Sequence, residues 1–221
     1  MQYLFVEQAG EQQLSLEGDE HRYIFKVRRH RQGEIITLRN LKDGKLYFYQ
    51  IVSLTKKEAL LSLEKTEMLT VSAEKNLHLA WCIIDPKSVE KMLASLNEVG
   101  VDKITFIYCK RSQKSFKLDF KRLEKIVLNS SQQCGRSSLM KLELIEHLED
   151  FLLAYPNTIM LNFSEQKLST ISQNNTILIG CEGGFSPEES HLFNKENIMG
   201  LDTPLILKSE SAACMVASKL L

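Results

Sequence analysis

The run Thr176–Glu189 constrains the fold of this chain more than any other segment, because a strand, a glycine turn and a helix start follow one another without a break. Ile177–Ile179 is branched and apolar, which is typical of a strand covered on both faces. Gly180, Gly183 and Gly184 then allow the backbone to turn sharply and to approach a ligand closely. The pattern predicts an α/β sheet with a ligand site at this turn.

A helix is predicted to begin directly after the glycine turn. Ser186 is a favourable N-cap, Pro187 suits the first helical position, and Glu189 completes a capping box with Ser186. Small molecules bind at such turns, at the carboxyl ends of strands in α/β sheets.

The residues of the turn restrict which kinds of ligand it can bind. Glu182 brings a carboxylate that would repel phosphate, and the spacing matches neither common nucleotide-binding fingerprint. A ligand with hydroxyls, amines or a positive centre suits the turn better. The alternative is that the glycines only turn the chain and Glu182 only caps the helix.

The charge of the chain is balanced, with 28 basic and 28 acidic residues, but it is unevenly distributed. Two segments are strongly basic, His21–Arg31 and Lys110–Lys125, and such clusters can bind a polyanion locally. The first cluster also contains Tyr23 and Phe25, and cations interleaved with aromatic rings favour RNA, whose bases stack on rings. Alternatively, these rings point into the core of the domain.

The cysteines and the hydropathy pattern indicate the compartment. The five cysteines are widely spaced, with no C-x-x-C pair, so we expect neither a disulfide framework nor a zinc site. The histidines show no metal spacing, the first ten residues do not have the pattern of a signal peptide, and no apolar run is long enough to span a membrane. A reduced, soluble, cytoplasmic protein without a metal is expected.

Two domains are predicted, residues 1–70 and 74–221. The first is mostly β and suggests a small barrel, with strands at Glu34–Arg39, Lys45–Leu54 and Glu58–Leu63, a hairpin turn at Asp43–Gly44, and a short helix over Asp19–Val27.

The second domain alternates strands and helices, which predicts a mostly parallel sheet. The predicted strands are Leu77–Ile84, Ile104–Cys109, Thr158–Leu161, Thr176–Ile179 and Leu205–Leu207. One predicted helix starts at Asp85-Pro86 and ends at Gly100. The other predicted helices cover Asp119–Cys134, Leu142–Ala154 and Ser211–Leu221.

Two charged residues outside the glycine turn are candidates for chemistry. Arg136 follows the Gly135 stop of a helix, where it is either an ordinary basic residue or a guanidinium aimed at a phosphate or a base carbonyl. Glu210 follows the strand predicted at Leu205–Leu207, near a helix start capped by Ser209 or Ser211. There a carboxylate is favoured by the helix dipole alone, whether or not it has a function.

Taken together, these segments resemble the ribosomal RNA small subunit methyltransferase E family of the SPOUT methyltransferases, over nearly the whole chain. The family's G-P-E-G-G-[FL]-S motif corresponds to Gly180–Ser186, and its terminal I-L-R-x-E-[TS] element corresponds to Ile206–Ser211. Other segments also resemble the family's sequence pattern: Gln132–Arg136, Glu98–Val101, Arg111–Ser112 and His21–Glu34.

The chain departs from the family pattern at several positions of these motifs. Cys181 replaces proline, Lys208 replaces arginine, and Thr203 and Leu205 stand where many members have glycine and arginine. Cys134 replaces serine and Gln132 glutamate. Glu182, Gly183, Arg136 and Glu210 are retained, which indicates a divergent member.

The resemblance implies a fold and an activity. The fold is a PUA-like RNA-binding β-barrel followed by an α/β methyltransferase domain with a C-terminal trefoil knot. The activity is S-adenosylmethionine-dependent methylation of N3 of uridine 1498 in 16S rRNA, by a homodimer that acts on the small ribosomal subunit.

The resemblance also implies roles for individual residues. Arg136 and Glu210 would be catalytic. The cofactor would be held by Leu161, Asn162, Gly180, Cys181, Glu182, Gly183, Leu201, Leu207 and Ser209. RNA would be bound by Arg22, Lys26, Arg28, Arg29, Arg31 and Arg111.

Two other functions remain open from the sequence, and a third is disfavoured. A non-catalytic rRNA-binding or ribosome assembly factor could retain this fold, and a related SPOUT enzyme could act on tRNA or on ribose. A dinucleotide-dependent oxidoreductase is disfavoured, since the phosphate fingerprint is missing.

Overall fold

The computed structural model describes residues 2–168 and 176–221 and divides the chain into two compact units. The first unit contains the residues up to Ser72 together with Ser131–Leu139, and the second contains Ala73–Ser130 and Met140–Leu221. Nothing in the sequence pattern indicates that the segment 131–139 belongs with the first unit.

The first unit is built around a five-stranded sheet in the order β1-β3-β4-β5-β2. Its strands are β1 (Leu4–Phe5), β2 (Gln13–Glu17), β3 (Ile35–Arg39), β4 (Lys45–Leu54) and β5 (Glu58–Met68). The β1–β3 pair is parallel and the other pairs are antiparallel. β3 and β4 pair across the predicted Asp43–Gly44 turn, where Gly44 has a φ of 69°.

The predicted helix over Asp19–Val27 is present in two parts. A short α1 (Gly18–His21) continues as one stretch of π-helix, Arg22–Val27. Ile24 is fully buried in the core of the first unit, and Tyr23 and Phe25 pack against that core. The basic side chains of this segment therefore face solvent while its rings face inward, as the alternative interpretation of the rings expected.

The second unit contains a six-stranded sheet in the order β11-β9-β10-β6-β7-β8, in which every described pair is parallel. Its strands are β6 (His78–Cys82), β7 (Lys103–Tyr108), β8 (Lys141–His147), β9 (Ile159–Leu161), β10 (Thr176–Ile179) and β11 (Ile198–Met199). The helices that follow these strands are α2 (Pro86–Val99), α3 (Phe120–Cys134), α4 (Leu148–Ala154), α5 (Pro187–Ser190) and α6 (Ser209–Leu220).

Helix α2 shows why the sequence folds locally as predicted. The Asp85 carboxylate accepts a hydrogen bond from the backbone N–H of Ser88, 3.1 Å away, and so caps the helix start. Val89, Leu93 and Leu96 are fully buried on one face. Gly100 ends the helix with a φ of 108°, a conformation that favours glycine.

Two predicted elements are wrong. The helix expected over Leu142–Ala154 begins only at Leu148, because Lys141–His147 pairs with β7 as an edge strand. The strand expected at Leu205–Leu207 is a loop, and the strand that pairs with β9 in this region is Ile198–Met199. Leu205 and Ile206 are 70% and 84% exposed, so their apolar character does not reflect burial in a sheet.

The expectation of unpaired cysteines is wrong for two of the five. Cys82 ends β6, Cys109 follows β7, and their sulfurs form a disulfide whose Cα atoms are 5.8 Å apart. Because the two residues lie 27 positions apart, only the pairing of β6 with β7 brings them together. Cys134, Cys181 and Cys214 are free thiols.

Candidate functional site

A cavity of about 310 Å³ opens at the carboxyl edge of the parallel sheet in the second unit. Three loops surround it, which follow β9, β10 and β11. Its lining consists of Leu161, Asn162, Phe163, Ser164, Lys167, Ile179, Gly180, Cys181, Glu182, Gly184, Phe185, Gly200, Leu201, Thr203, Leu205, Ile206, Leu207, Ser209 and Ala212.

The glycine turn after β10 forms one wall of the cavity. The backbone N–H of Gly184 donates to the carbonyl of Cys181 at 2.9 Å, and Gly184 has a φ of 66°. A Cβ atom on Gly180 would lie 3.2 Å from the ring of Phe185, tighter than most such contacts. Glycine is therefore required both for the turn and for the close packing beneath it.

A buried chain of hydrogen bonds fixes this turn to the core. The indole N–H of Trp81 donates to Ser209 Oγ at 2.8 Å, and the Ser209 hydroxyl donates to the Gly180 carbonyl at 2.5 Å. Trp81 is fully buried and Ser209 nearly so. Ser209 is the first residue of α6, and Lys208, not a serine, occupies the N-cap, so the predicted serine cap is wrong.

The predicted capping box at the start of α5 is confirmed. Ser186 Oγ accepts from the Glu189 N–H at 3.2 Å, and the Glu189 carboxylate accepts from the Ser186 N–H at 2.8 Å. The buried Glu189 carboxylate also accepts from the backbone N–H of Lys110 at 2.7 Å. The capping box thereby ties the turn after β10 to the loop after β7.

The same β7 loop brings cations to the outer side of the glycine turn. The Arg111 guanidinium donates to the Gly183 carbonyl at 2.6 Å, and Lys110 lies 3.4 Å from the Glu188 carboxylate. A hydrogen bond from Ser186, with the charge of Lys110, lowers the pKa of the exposed Glu188 to about 2. Glu188 is therefore ionised at neutral pH beside this basic loop.

Gly200 and Lys167 form another part of the cavity wall. The Gly200 N–H donates to the Gln166 carbonyl at 2.7 Å, and the Leu168 N–H donates to the Gly200 carbonyl at 3.0 Å. A Cβ atom on Gly200 would lie 2.7 Å from the Ser164 carbonyl oxygen, which no residue except glycine avoids. The Lys167 ammonium donates to the carbonyls of Ser164 and Leu201, at 3.3 and 3.4 Å.

The structure brings most of the predicted cofactor residues to one cavity. Eight of them are in its lining: Leu161, Asn162, Gly180, Cys181, Glu182, Leu201, Leu207 and Ser209. Gly183 belongs to the same turn but is not in the lining. Lys167 and Gly200 line the cavity without having been predicted, although Gly200 directly follows a short strand, as Gly180 does.

Neither predicted catalytic residue is in the cavity lining. Arg136 is 6% exposed within the first unit, where its Nε lies 3.5 Å from Ser138 Oγ and its carbonyl accepts from the Tyr3 hydroxyl at 2.7 Å. Glu210 is partly buried in the first turn of α6, next to the lining residue Ser209. The catalytic roles of both residues remain predictions.

The residues predicted to bind RNA are all exposed. Five belong to the first unit, Arg22, Lys26, Arg28, Arg29 and Arg31, and Arg111 belongs to the second. The Arg28 guanidinium lies over the Tyr23 ring and donates to its hydroxyl at 2.8 Å, so Arg28 already covers that ring. Phosphate contacts suit this surface better than base stacking on Tyr23.

The described residues contain neither a candidate metal site nor a candidate membrane-spanning helix. Within residues 2–168 and 176–221, no three His, Cys, Asp or Glu side chains are grouped so that they could hold a metal ion. None of the helices described is both long and apolar enough to cross a membrane.

Comparison with known proteins assigns both units. Residues 72–221 match the model of an RNA methyltransferase domain, and residues 16–64 match that of an RNA methyltransferase PUA domain. Ribosomal RNA small subunit methyltransferase E of Helicobacter pylori strain 26695 is 39% identical over 222 residues, which cover 99% of this chain and 98% of the relative.

Solved structures show the same fold. A Legionella pneumophila protein described as a methyltransferase and solved with the cofactor SAM bound is 25% identical with a TM-score of 0.82, covering 100% of this chain and 97% of that one. Ribosomal RNA small subunit methyltransferase E from Neisseria gonorrhoeae, bound to S-adenosyl methionine, is 20% identical with a TM-score of 0.83, covering 99% and 95%.

These matches extend over both units and include the segments that carry the glycine turn and the start of α6. The predicted fold class, a PUA-like domain followed by an α/β methyltransferase domain with a parallel sheet, is confirmed. The chain belongs to the ribosomal RNA small subunit methyltransferase E family.

Proposed function

We propose that this protein is an S-adenosylmethionine-dependent methyltransferase that methylates N3 of uridine 1498 in 16S rRNA. Family membership over the full chain supports the reaction class and the rRNA substrate. The observation that carries the cofactor assignment is the cavity at the carboxyl edge of the parallel sheet, lined by a glycine turn that contains the carboxylate of Glu182.

The cavity residues fit S-adenosylmethionine. Apolar side chains of Leu161, Ile179 and Leu207 suit the adenine ring, and the bend of backbone at Gly180 suits the close approach of a ribose. The exposed carboxylate of Glu182 favours a positive centre such as a sulfonium and disfavours a phosphate. The residues that line the cavity therefore suit S-adenosylmethionine and do not suit a dinucleotide.

The protein itself has to contribute little to the chemistry of methyl transfer. S-adenosylmethionine supplies a methyl group that is already activated by its sulfonium, so the protein mainly aligns an in-line displacement. Uridine N3 carries a proton that must leave before or during the transfer, and the resulting charge spreads onto the two flanking carbonyls. We propose that Arg136 stabilises this charge, and that Glu210 accepts the proton or holds the arginine.

The RNA is held by charge. We propose that Arg22, Lys26, Arg28, Arg29, Arg31 and Arg111 bind rRNA phosphates, since all six are exposed. Binding should then weaken steeply as salt is raised.

The family resemblance further supports a homodimer, a trefoil knot in the C-terminal domain, domain limits of 1–70 and 74–221, and a cytoplasmic location.

Mapping the methylated nucleotide tests the proposal directly. The protein is incubated with small subunits from cells that lack it and with tritiated S-adenosylmethionine, and the RNA is analysed by mass spectrometry. A single N3-methyluridine at position 1498 is expected. Methylation elsewhere would reject the site, and RNA binding without methyl transfer would favour an assembly factor.

The role of Arg136 is tested by replacing its charge. Arg136→Ala should lower kcat by 10²-fold or more, about the effect of losing one preorganised donor, with little change in cofactor affinity. Because Arg136 is buried, Arg136→Lys and thermal unfolding check that a loss is not misfolding. Arg122→Ala, which removes an exposed arginine paired with Glu90, is the matched control. An unchanged kcat would reject the role.

A further inference from the structure

The peptide group between Gly183 and Gly184, in the glycine turn, is held at both ends. The Gly183 carbonyl accepts from the Arg111 guanidinium at 2.6 Å, and the N–H of the same peptide, which belongs to Gly184, donates to the Cys181 carbonyl at 2.9 Å. Because both flanking residues are glycines, this peptide can rotate at little steric cost, so its two hydrogen bonds determine its orientation. The bond from Arg111 is the one that comes from outside the turn.

The Arg111 side chain packs directly against Gly183. A Cβ atom on Gly183 would lie 3.2 Å from Cβ and 3.3 Å from Cδ of Arg111, so the stem of the arginine occupies the space that a larger residue would need. Glycine at position 183 therefore permits the close approach of this side chain. Glu182, the acidic residue of the cavity lining, directly precedes Gly183, so the contact at Gly183 affects the orientation of a residue that is proposed to face the cofactor.

The loop that carries Arg111 is itself fixed by its neighbours. Cys109 is held to β6 by the disulfide, and its backbone N–H donates to Ser112 Oγ at 3.2 Å. The Ser112 N–H donates back to the Cys109 carbonyl at 3.0 Å, and the Lys110 N–H donates to the Glu189 carboxylate at 2.7 Å. Because the loop is already ordered, the hydrogen bond from Arg111 to the turn costs less conformational entropy.

The Arg111 guanidinium can bind a second ligand. It is exposed, and Gly183 is its one hydrogen-bond partner among the residues that the structure describes. A guanidinium has five N–H groups in a planar fork, and it holds a phosphate through two parallel hydrogen bonds. The bond to Gly183 comes from one terminal nitrogen, so the same side chain can bind the Gly183 carbonyl and an RNA phosphate at the same time.

We propose that Arg111 couples RNA binding to cofactor binding, by holding the glycine turn through the Gly183 carbonyl while it binds an RNA phosphate. This inference rests on the proposed function and extends it, because Arg111 then acts on the cofactor site as well as on the RNA. A phosphate on the guanidinium stabilises the conformation that holds the turn, so RNA bound there strengthens cofactor binding. By linkage, the cofactor strengthens RNA binding by the same factor.

Cofactor binding without RNA tests the contact between Arg111 and the turn. The full-length protein is titrated with S-adenosylmethionine by calorimetry. Arg111→Met should bind the cofactor about 3- to 10-fold more weakly, the usual worth of one exposed hydrogen bond. Lys114→Met removes an exposed cation from the same connection between β7 and α3, and it should leave the affinity unchanged. An unchanged cofactor affinity in Arg111→Met would overturn the proposal and leave Arg111 as a phosphate contact alone.

Cofactor binding in the presence of RNA tests the coupling. Binding of tritiated S-adenosylhomocysteine, which has no methyl group to transfer, is measured by equilibrium dialysis with and without saturating small ribosomal subunits from cells that lack the protein. In the wild type, the ribosomal subunits should raise the affinity about fivefold or more. Arg111→Lys retains the charge but not the planar fork, so it should still bind the ribosomal subunits and lose most of this increase.

The contrary results of the dialysis experiment differ in what they overturn. An equal increase in the wild type and in Arg111→Lys would overturn the proposal, and so would ribosomal subunits that leave the affinity of the wild type unchanged. The proposed function survives both results, because the protein still binds cofactor and RNA. A folded wild type that binds neither S-adenosylmethionine nor S-adenosylhomocysteine would overturn the proposed function, and the coupling with it.

Discussion

The two edges of the parallel sheet in the second unit are built in opposite ways. At the carboxyl edge, loops with glycines surround a cavity, and the apolar side chains of Phe163 and Ile206 are 80% and 84% exposed. At the amino edge, polar side chains of neighbouring strands bond to one another.

The amino edge is a closed network centred on His78. His78 lies 3.1 Å from Thr176 Oγ1 through Nδ1 and 2.8 Å from Thr105 Oγ1 through Nε2, and the Thr105 hydroxyl donates to Glu143 at 2.9 Å. This order of donors suits a neutral histidine protonated on Nε2. Lys103 pairs with Glu143 at 2.6 Å and donates to the Tyr155 hydroxyl.

The two edges of one sheet thus separate binding from stability. Polar groups at the amino edge are satisfied by side chains, so that edge holds the strands together. At the carboxyl edge, the turn is fixed from beneath by Trp81 and Ser209, while its upper surface remains open for a ligand. Variants at each edge should therefore separate loss of binding from loss of stability.

The largest effect is expected from closing the cavity wall. Gly200→Ala would place a methyl group 2.7 Å from the Ser164 carbonyl, and the backbone must move to accommodate it. We expect cofactor affinity, measured by calorimetry, to fall about 10- to 100-fold. In Gly183→Ala the atoms nearest to the new group belong to the flexible Arg111 side chain, at 3.2 Å, so a few-fold loss is expected. Similar losses in the two variants would contradict the distinction.

The next effect concerns the support beneath the turn. Ser209→Ala leaves the buried Trp81 N–H without its acceptor, which should cost about 1–3 kcal/mol in the free energy of unfolding measured in urea. Trp81→Phe removes the donor instead, and the double variant should lose less than the sum of the two single losses. Strictly additive losses would show that the hydrogen bond contributes nothing.

The smallest effect is expected in the pH dependence of stability, which depends on His78 at the amino edge. Burial, followed by the charge of Lys103, lowers the pKa of His78 to about 4, although Glu143 and Asp102 oppose this. The unfolded chain then binds the extra proton first, so stability is lost as pH falls from about 6.5 to about 4. We expect a loss on the order of 1 kcal/mol from this group, since solvent reaches part of the ring.

Replacing the histidine isolates this contribution. His78→Gln should show a smaller decrease in stability over the same pH range, with the midpoint of thermal unfolding as the measurement. His191→Gln, at an exposed histidine, should behave as the wild type. An identical pH dependence in wild type and His78→Gln would show that the network does not depend on neutral His78.

Local signals in the sequence predicted much of this structure. Strands β4 and β10 have the predicted limits, and the caps at Asp85, Gly100 and Ser186 act as expected. Each of these signals is complete within a few residues, since a cap or a turn depends on its immediate neighbours.

The wrong predictions concern segments whose structure depends on residues that are far away in the sequence. Leu142–His147 has apolar residues at spacings that allow either a helix or a strand, and pairing with β7 selects the strand. Leu205 and Ile206 look like a buried strand but line the mouth of the cavity. Cys82 and Cys109 are joined only because β6 and β7 are neighbours in the sheet.

The sequence by itself determined the glycine turn, its acidic residue and the helix that follows, because these depend on backbone freedom and capping within one short segment. Only the tertiary structure decided that Lys167 and Gly200 face the same cavity as Glu182, and that Arg136 packs within the first unit. The physical reason is that parallel strands are joined through long connections, so the sheet order, which no local pattern encodes, determines which loops meet.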